Sequence, residues 1–462
     1  MGTDTICAPA TANGMAAIGV IRTSGPEAVE ITNKIFKGKN LTKAKSHTVH
    51  YGHIMDREET IDEVMVTVFR APRTFTAEDS TEISFHGSPH IAKRILEVLT
   101  ENGARMAKPG EFTMRAFTNG RIDLAQAESV ADLIASENEA SRKVALNQLK
   151  GGITKEISDL RGDLLNFTSL VELELDFSEE DVEFADRTAL NMLLDRIEGK
   201  LTSLIDTFRY GNAVKNGVEV AIIGKPNAGK STLLNALLKE ERAIVSDIAG
   251  TTRDTIEEVL HIEGTAFRFI DTAGIRETSD AIEKIGVAKA KEKIASAKIL
   301  LYLYDEFDST PEEVISFVKE FWREDLKIIL LHNKIDLQEE NSTYAFDEIL
   351  RMQLFPIFTD TIIPLSAKHG TAIEDIRKEL SRYVQELESS ETAVITNQRH
   401  FDALQKSLES VRRVKAAISQ SFHTELLAYE LRYALEHLGE ISGEFTNDEV
   451  LGNIFSKFCI GK

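Results

Sequence analysis

The residues with the clearest chemistry form one glycine-rich stretch, residues 224–231, with the sequence GKPNAGKS. A mainly apolar run at 218–223 precedes it, and a helical pattern follows from Thr232. A strand that leads into such a turn and then a helix brings backbone N–H groups and the positive end of the helix dipole to a phosphate. Lys230 supplies a charge for the outer phosphates, and Ser231 supplies a hydroxyl for Mg²⁺. The alternative is a strand-to-helix turn that binds nothing.

Two later stretches predict that the bound base is guanine. Residues 333–336 read NKID and follow a predicted strand at 327–331. The Asp336 carboxylate can accept two N–H bonds from the N1 and N2 edge of guanine, whereas adenine lacks that donor pair and leaves the carboxylate unpaired. Residues 366–368, SAK, follow the next apolar run and can close over the base.

Two stretches between these motifs complete a predicted nucleotide site. Residues 271–274, DTAG, are expected to end a strand beside the phosphate loop, with Asp271 holding Mg²⁺ through water and Gly274 N–H next to the γ-phosphate. The polar loop at 250–254, GTTRD, can order over the nucleotide, with Thr252 as a second Mg²⁺ ligand. Each stretch alone is compatible with a turn, but all four in this order resemble the translation-factor-like GTPases. The predicted GTP contacts are Asn227, Ala228, Gly229, Lys230, Ser231, Thr232, Ser246, Asp247, Ile248, Ala249, Gly250, Thr251, Thr252, Asp271, Thr272, Ala273, Gly274, Asn333, Lys334, Asp336, Ser366, Ala367 and Lys368.

The residues that would activate water depart from a common GTPase pattern. Many GTPases have Gln directly after the DTAG stretch, whereas this chain has Ile275, which neither donates nor accepts a hydrogen bond. We expect Arg276 or Glu283 to position the water instead. Asn227 in the phosphate loop can hold a monovalent cation against the phosphates, together with carbonyls of residues 246–251, or can make a local turn bond. The residues alone leave both roles of Asn227 equally open.

The composition excludes several classes of protein. The 462 residues carry 54 Lys and Arg against 75 Asp and Glu, a net charge of −21, which argues against broad electrostatic binding of nucleic acid. Residues 1–120, however, contain 14 basic and 14 acidic side chains, so any RNA contact is local or depends on a partner. Two cysteines cannot form a disulfide framework, which fits a reducing cytosol. Without a run of about 18 apolar residues, we expect a cytoplasmic protein with no membrane contact.

The patterning predicts a multidomain protein of α/β and α type. Residues 1–118 mix strand-like runs with a helix at 89–101 and are expected to form a small α+β domain. Residues 218–380 alternate strands and helices, as in a Ras-like P-loop GTPase domain. Residues 119–217 and 381–462 carry long helical stripes, so the α/β domain is predicted to be inserted into a helical one.

Two helical stripes dominate the region before the α/β domain. Apolar residues recur every three or four positions over 153–171 and again over 190–208, which predicts two long helices. The acidic stretch at 178–183 lies between them. We interpret it as a solvated turn rather than a metal site, because no neighbouring His or Cys supports ligation.

Stretches that match one family run from end to end of the chain. Besides the four GTPase motifs they are residues 4–6, 19–22, 110–112, 115–121, 123–128, 177–181 and 458–462. In this combination the chain resembles the MnmE (TrmE) family of tRNA-modification GTPases. The resemblance implies a folate-binding-like α+β domain at the N-terminus, a helical domain and an inserted G domain.

The resemblance also implies an activity that the motifs alone do not indicate. Members of the family use GTP hydrolysis, a 5-formyl- or methylene-tetrahydrofolate one-carbon unit and a partner protein that carries FAD. Together they add an aminomethyl or carboxymethylaminomethyl group to C5 of the wobble uridine in certain tRNAs. A homodimer joined through the N-terminal domains is implied as well, with G domains that pair in a K⁺-dependent way.

Site residues follow from the resemblance by position. K⁺ would be held by Asn227, Ser246, Ile248 and Thr251, Mg²⁺ by Ser231 and Thr252, the water by Glu283, and folate by Arg22, Glu82, Arg121 and Lys462. The family usually has Lys at position 121 and Thr at position 246, so the charge and the oxygen are retained here. Glu82 could bond the amino-pyrimidine edge of a pterin, but its pattern favours the solvent face of a half-buried strand.

Cys459 is the fourth residue counted back from the last residue of the sequence and has two possible roles. It is either a reactive nucleophile near the folate or a small buried hydrophobe. A second function also stays open for the whole chain, a regulatory switch of the ribosome-assembly type without one-carbon chemistry. The N-terminal residues Arg22 and Glu82 and the Cys459 tail distinguish the two functions, because a pure switch does not need them.

Overall fold

The computed structural model describes residues 4–176, 187–239, 258–270, 294–337, 340–355, 361–387, 393–419, 424–445, 448–456, 458–459 and 461. The chain divides into two compact units. The first contains residues 1–135, 145–202 and 402–462, and the second contains residues 136–144 and 203–401. The domain boundaries expected from the sequence stay predictions.

The first unit begins with a seven-stranded sheet whose order is β3-β4-β5-β6-β2-β1-β7. Its strands are β1 (Ile6–Pro9), β2 (Ile18–Ser24), β3 (Phe36–Gly38), β4 (Thr48–Asp56), β5 (Glu59–Phe69), β6 (Ser80–His86) and β7 (Arg105–Met106). All neighbours are antiparallel except β1 and β7. Two helices accompany this sheet, α1 (Ala28–Ile35) and α2 (Pro89–Glu101). The predicted helix over 89–101 is confirmed, with Pro in its first turn.

The buried side of this sheet packs against both helices. Val66, Ile83 and Phe85 of the strands form one apolar cluster with Ile31 of α1 and Ile95 of α2. Because side chains alternate between the two faces of a strand, the intervening residues lie on the opposite face. That face carries the polar pair discussed below.

Helices follow, namely α3 (Glu111–Thr118), α4 (Leu124–Ile134), α5 (Glu139–Leu149), α6 (Gly152–Asp176) and α7 (Arg187–Asn216). The two that carry the predicted apolar stripes, α6 and α7, are long. The predicted stripe of α6 is buried along its length, from Ile153 to Val171. In α7 the predicted stripe residues Ile197, Leu201 and Leu204 are buried, whereas Leu193 is half-buried and its neighbour Leu194 is fully buried instead.

The second unit contains a six-stranded sheet with the order β13-β12-β11-β8-β10-β9. Its strands are β8 (Val218–Gly224), β9 (Glu258–Ile262), β10 (Thr265–Phe269), β11 (Ile299–Tyr304), β12 (Lys327–His332) and β13 (Ile362–Pro364). Only the β9–β10 pair is antiparallel. The helices are α8 (Lys230–Lys239), α9 (Pro311–Phe321), α10 (Glu340–Leu354) and α11 (Ile373–Leu387).

Helices cover both faces of this sheet. Leu301 and Leu303 of β11 belong to a cluster with α8 and α11, whereas Tyr302 and Tyr304 belong to a second cluster with α9 and α10. A strand buried on both faces is typical of a doubly wound α/β fold. The carboxyl ends of the parallel strands β8, β11, β12 and β13 meet at one edge, which is where such folds bind ligands. The predicted Ras-like P-loop architecture is confirmed.

The chain then returns to helices, namely α12 (Gln398–Ser419), α13 (Thr424–Ser442) and α14 (Asp448–Ser456). No helix in the described parts of the chain is long and apolar enough to span a bilayer.

Candidate guanine-nucleotide site

The phosphate loop connects the end of β8 to the start of α8, and two of its residues must be glycine. A Cβ on Gly224 would lie 2.4 Å from Leu303 O of the neighbouring strand. Gly229 has a φ of +101°, and a Cβ there would lie 2.3 Å from Asn333 Nδ2. At Gly224 the backbone therefore lies against β11, and at Gly229 it lies against Asn333, without room for a side chain at either position.

The Lys230 side chain binds backbone carbonyl groups of the phosphate loop. Its Nζ donates to Gly224 O and Lys225 O, both at 2.7 Å, so the ammonium lies at the mouth of the turn. Leu233 N donates to Gly229 O at 2.9 Å and continues the first turn of α8. The arrangement places a positive charge and a helix N-terminus together, as an anion site requires.

Asn227 and Ser231, the predicted cation ligands, lie in the phosphate loop and in the first turn of α8. Asn227 is exposed and has a φ of +62°, in the left-handed region that Asn tolerates better than most residues. Ser231 is half-buried in the first turn of α8. An amide oxygen and a hydroxyl are suitable hard ligands for K⁺ and Mg²⁺.

Asn333 links the three loops of the predicted base site. Its Nδ2 donates to Ala228 O at 2.7 Å, and its Oδ1 accepts from Ala367 N at 3.0 Å. The side chain is buried, with 3% exposure. The structure therefore joins the phosphate loop, the NKID motif and the SAK motif through one amide, which satisfies both of its polar ends.

Asp336 is held as an ionised acceptor at the rim of the site. Its Oδ1 accepts from Ser366 Oγ at 2.6 Å, and its Oδ2 lies 3.5 Å from His369 Nε2. The bond from Ser366 lowers the pKa of Asp336 below its ordinary value. The side chain remains 21% exposed, so the carboxylate is oriented by the SAK loop and still accessible to a base.

Several of the predicted residues lie outside the described parts of the chain. They are Ser246, Asp247, Ile248, Ala249, Gly250, Thr251, Thr252, Asp271, Thr272, Ala273, Gly274, Arg276, Glu283 and Lys462. Their assigned roles in Mg²⁺, K⁺, water and folate binding stay predictions.

A second group of predicted residues meets on the N-terminal sheet. Arg22 and Glu82 are register partners on β2 and β6. Arg22 Nε and Nη2 donate to Glu82 Oε1 at 2.9 and 2.7 Å. The guanidinium carbon lies 5.5 Å from the centre of the Phe75 ring and 5.8 Å from that of Phe112. Glu82 is thus half-buried and paired rather than simply facing solvent.

Arg121 lies at a neighbouring cavity of about 350 Å³. His47, Arg73 and Phe75 are among the residues that line it. Phe75 therefore touches both the Arg22–Glu82 pair and the cavity of Arg121. The structure brings three of the four predicted folate residues into one region of the first unit.

The tail that carries Cys459 packs against the same unit. Gly110 N donates to Cys459 O at 3.4 Å, and a Cβ on Gly461 would lie 1.9 Å from Pro9 O. The Cys459 side chain is exposed, which excludes the buried-hydrophobe role for this thiol. Cys7 is buried instead, and burial raises the pKa of its thiol to about 11, so Cys7 is unreactive near neutral pH.

Comparison with known proteins decides the family. Family models describe residues 5–121 as the GTP-binding protein TrmE N-terminus and residues 124–459 as the MnmE helical domain. The tRNA modification GTPase MnmE of Flavobacterium johnsoniae is 51% identical, over 99% of each chain. Those of Cytophaga hutchinsonii and Bacteroides thetaiotaomicron are 50% and 49% identical and cover all of this chain and 98% and 100% of their own. This chain belongs to the MnmE family. Among solved structures, Era with MgGDPNP and a 16S ribosomal RNA fragment is 29% identical over 42% of this chain and 66% of its own, with a TM-score of 0.28, which is too low to support a structural comparison.

The structure of this MnmE family member adds ion pairs that the motifs did not predict. Lys334 Nζ lies 2.8 Å from Asp305 Oδ2, and Asp305 follows directly after β11. Lys225 Nζ donates to Asp308 O and Glu313 Oε2, both at 2.6 Å. The signal that could have found them is the acidic pair Asp305 and Asp308 at the carboxyl end of a predicted strand, next to two motif lysines.

A buried polar trio lies beneath the NKID loop. Asp347 Oδ1 accepts from Tyr304 Oη at 2.7 Å and lies 2.8 Å from His332 Nδ1. Burial, with the Asp347 charge, holds the pKa of Tyr304 well above its ordinary value, so the hydroxyl stays a donor. Tyr304 and His332 are register partners at the ends of β11 and β12. The trio therefore fixes the two strand ends from which Asp305 and Asn333 continue.

Proposed function

We propose that this MnmE family protein is a K⁺-stimulated GTP hydrolase that acts in the cytoplasm on the wobble uridine of certain tRNAs. As a homodimer, and with an FAD-dependent partner, it adds an aminomethyl or carboxymethylaminomethyl group to C5 of that uridine. The one-carbon unit comes from 5-formyl- or methylene-tetrahydrofolate. The observation that carries the GTP part is the Asn333 amide, which links the phosphate loop to both base motifs.

Guanine selection rests on Asp336. An ionised, accessible carboxylate accepts both N–H groups of the guanine edge, whereas adenine would leave it desolvated and unpaired. The bond from Ser366 orients the carboxylate before a nucleotide arrives. Less orientational freedom is then lost on binding, which favours affinity.

Hydrolysis needs charge stabilisation and an oriented water. Lys230 contacts the outer phosphates, Ser231 and Thr252 hold Mg²⁺, and Glu283 or Arg276 orients the water, because Ile275 cannot. The K⁺ ligands are Asn227, Ser246, Ile248 and Thr251. Bound Mg²⁺ and K⁺ would supply positive charge against the phosphate oxygens, and K⁺ would take the place of an arginine finger.

The one-carbon chemistry is assigned to the region around Phe75. Both bonds from Arg22 go to Glu82 Oε1, and Glu82 Oε2 accepts no hydrogen bond from a residue that the structure describes. That oxygen suits the amino-pyrimidine edge of a pterin, while Arg121 and Lys462 suit the carboxylates of a glutamate tail. The exposed Cys459 thiol is the nucleophile of this region.

A regulatory switch of the ribosome-assembly type is the alternative. It shares the guanine site but has no use for a half-buried Arg–Glu pair beside a cavity. Folate binding therefore separates the two functions.

The cation prediction is tested by GTP turnover in K⁺ and in Na⁺ at equal ionic strength. We expect turnover to be about tenfold or more faster in K⁺, because a cation in place of an arginine finger stabilises transition-state charge. Asn227→Ala should remove most of this difference, whereas Asn235→Ala, an exposed asparagine of α8, should not. Equal rates of the wild type in both salts would contradict the K⁺ assignment.

The folate prediction is tested by calorimetric titration of 5-formyltetrahydrofolate into the full chain. Glu82→Gln should weaken binding by about tenfold, because a charge-assisted bond to the pterin is lost. The matched control is Glu63→Gln, an exposed carboxylate of β5 in the same sheet. If the wild type does not bind 5-formyltetrahydrofolate, the regulatory-switch function is favoured.

A further inference from the structure

One stretch of this acidic chain is strongly basic. Residues 31–55 contain five lysines and no Asp or Glu, although the whole chain carries a net charge of −21. The five are Lys34, Lys37, Lys39, Lys43 and Lys45, and each is exposed. We refer to them as the lysine surface. It lies on α1, β3 and the loop that leads to β4.

The loop that displays these lysines is anchored rather than free. Leu41 and Ala44 are buried in the core of the N-terminal sheet. Leu41 N donates to Asn33 Oδ1 at 2.8 Å, and Arg70 Nη2 donates to Thr42 O at 2.8 Å. Because the apolar residues point inward, Lys43 and Lys45 must point outward. The positive charges are therefore presented at fixed positions.

The lysine surface is not neutralised within the chain as described. None of the five ammonium groups forms an ion pair with a described residue, whereas Lys225, Lys327 and Lys415 do. Glu63 and Lys37 both pair in register with His53, from the two strands that flank β4. Glu63 Oε1 accepts from Tyr51 Oη at 3.0 Å and lies 3.6 Å from His53 Nε2. An uncompensated row of lysines favours a polyanion as its ligand.

Protection of the sheet edge explains only part of this pattern. β3 is an edge strand, and lysines there discourage pairing with another chain. That argument covers Lys37 and Lys39. Lys43 and Lys45 lie on the loop, where no strand edge is open, so a second reason is needed for them.

The surface leads to the cavity of Arg121. His47, two residues after Lys45, lines that cavity together with Arg73 and Phe75. Phe75 is 39% exposed. A basic track that ends at an exposed aromatic ring and further cations is typical of proteins that hold an RNA backbone and stack an unpaired base.

We propose that the lysine surface binds the phosphate backbone of the tRNA and directs an unpaired base towards the cavity of Arg121. This inference rests on the proposed function, because that function makes tRNA the substrate. The local excess of positive charge compensates for the acidic chain, so RNA contacts a small area rather than the whole protein. Affinity is then strongly salt-dependent.

The test is tRNA binding by the full chain, measured by fluorescence anisotropy at several KCl concentrations. The patch variant carries Lys37→Glu, Lys39→Glu, Lys43→Glu and Lys45→Glu. We expect its affinity to fall at least about tenfold and the salt slope of log Kobs to fall by about three, since each lost phosphate contact removes roughly 0.7–0.9. A Lys→Gln set at the same positions should show a smaller loss and guards against misfolding.

The control variant has the same net charge, with Lys93→Glu, Lys150→Glu, Lys319→Glu and Lys406→Glu at exposed positions elsewhere. Its affinity should change by less than about threefold. Equal losses in both variants, an unaffected patch variant or a wild type that leaves tRNA unbound would each overturn the inference. One further result would overturn the inference: the wild type and the control variant bind phosphatidylserine vesicles, the patch variant does not, and the patch variant binds tRNA as tightly as the wild type. The proposed function fails separately, if the wobble nucleosides do not depend on the protein.

Discussion

At the scale of single residues, Asp336 shows what residue type and position can predict. Its place at the end of NKID after a strand-like run predicts guanine recognition, because few groups other than a carboxylate accept two adjacent N–H bonds. Its bond from Ser366 was not predicted, since the two residues are 30 positions apart and meet only in the folded sheet. Such tertiary contacts set the pKa of the carboxylate.

The Ser366–Asp336 bond leads to a prediction about pH. Asp336 must be ionised to bind guanine, and its pKa lies below the ordinary value of 3.8 mainly because Ser366 donates to it. Affinity for guanine nucleotides is therefore highest at pH values well above the lowered pKa of Asp336. It is lost as the pH falls through that pKa. Ser366→Ala should raise the pKa, so that the loss on acidification begins at a higher pH. Dissociation of a fluorescent GDP analogue, measured against pH, tests this.

The control for this experiment is Ser456→Ala, because Ser456 lies in α14 and bonds only locally to Asn453 O. Its pH profile should match that of the wild type. Circular dichroism at each pH shows whether the fold is intact. Identical profiles for Ser366→Ala and the wild type would mean that this hydrogen bond does not set the ionisation of Asp336.

At the scale of helices and strands, long regular patterns were predicted well. α2 spans the predicted residues 89–101, and the α6 stripe is buried as expected. In α7, Leu193 and Leu194 are adjacent, and only packing decides which of them faces the core. The short strands β3 and β7, of three and two residues, carry too few residues for a period to be recognised.

The buried trio of Tyr304, His332 and Asp347 belongs to this scale, since it joins β11, β12 and α10. Hydrogen bonds inside a low-dielectric core are strong when every partner is present. Tyr304 is followed directly by Asp305, and His332 by Asn333. Movement of either strand end would therefore displace groups that contact the nucleotide loops.

Tyr304→Phe tests this positional link. We expect a loss of about 1–3 kcal/mol in the free energy of unfolding, because the buried Asp347 carboxylate loses a donor. GDP release should also accelerate. The matched control is Tyr383→Phe, another buried tyrosine of the same unit, which should leave GDP release nearly unchanged. Urea unfolding and GDP dissociation rates supply both values, and equal acceleration in both variants would contradict the link.

At the scale of the whole molecule, charge counts predicted that any RNA contact is local or depends on a partner. Residues 1–120 carry equal numbers of basic and acidic side chains, and the structure shows that the five lysines between residues 34 and 45 are exposed and form no ion pair with a described residue. The sequence could not show which lysines are exposed and which are paired, because salt bridges depend on neighbours from distant elements. Insertion of the G domain was predictable, because helical stripes flank an uninterrupted α/β pattern.

The central claim is that GTP hydrolysis drives wobble-uridine modification. It is tested by a variant that disrupts the nucleotide site. The nucleotide-site variant is Gly229→Ala, whose Cβ would clash with Asn333. The matched control is Gly199→Ala in α7, where a Cβ meets nothing within 4 Å and should stabilise the helix by up to about 1 kcal/mol.

The decisive measurement is mass analysis of wobble nucleosides in tRNA from a strain that lacks this protein and is complemented with each form. We predict that the C5-modified uridine disappears in the deletion strain. It should return with the wild type and with Gly199→Ala, but not with Gly229→Ala. Unchanged nucleosides in the deletion strain, or full restoration by Gly229→Ala, would contradict the account.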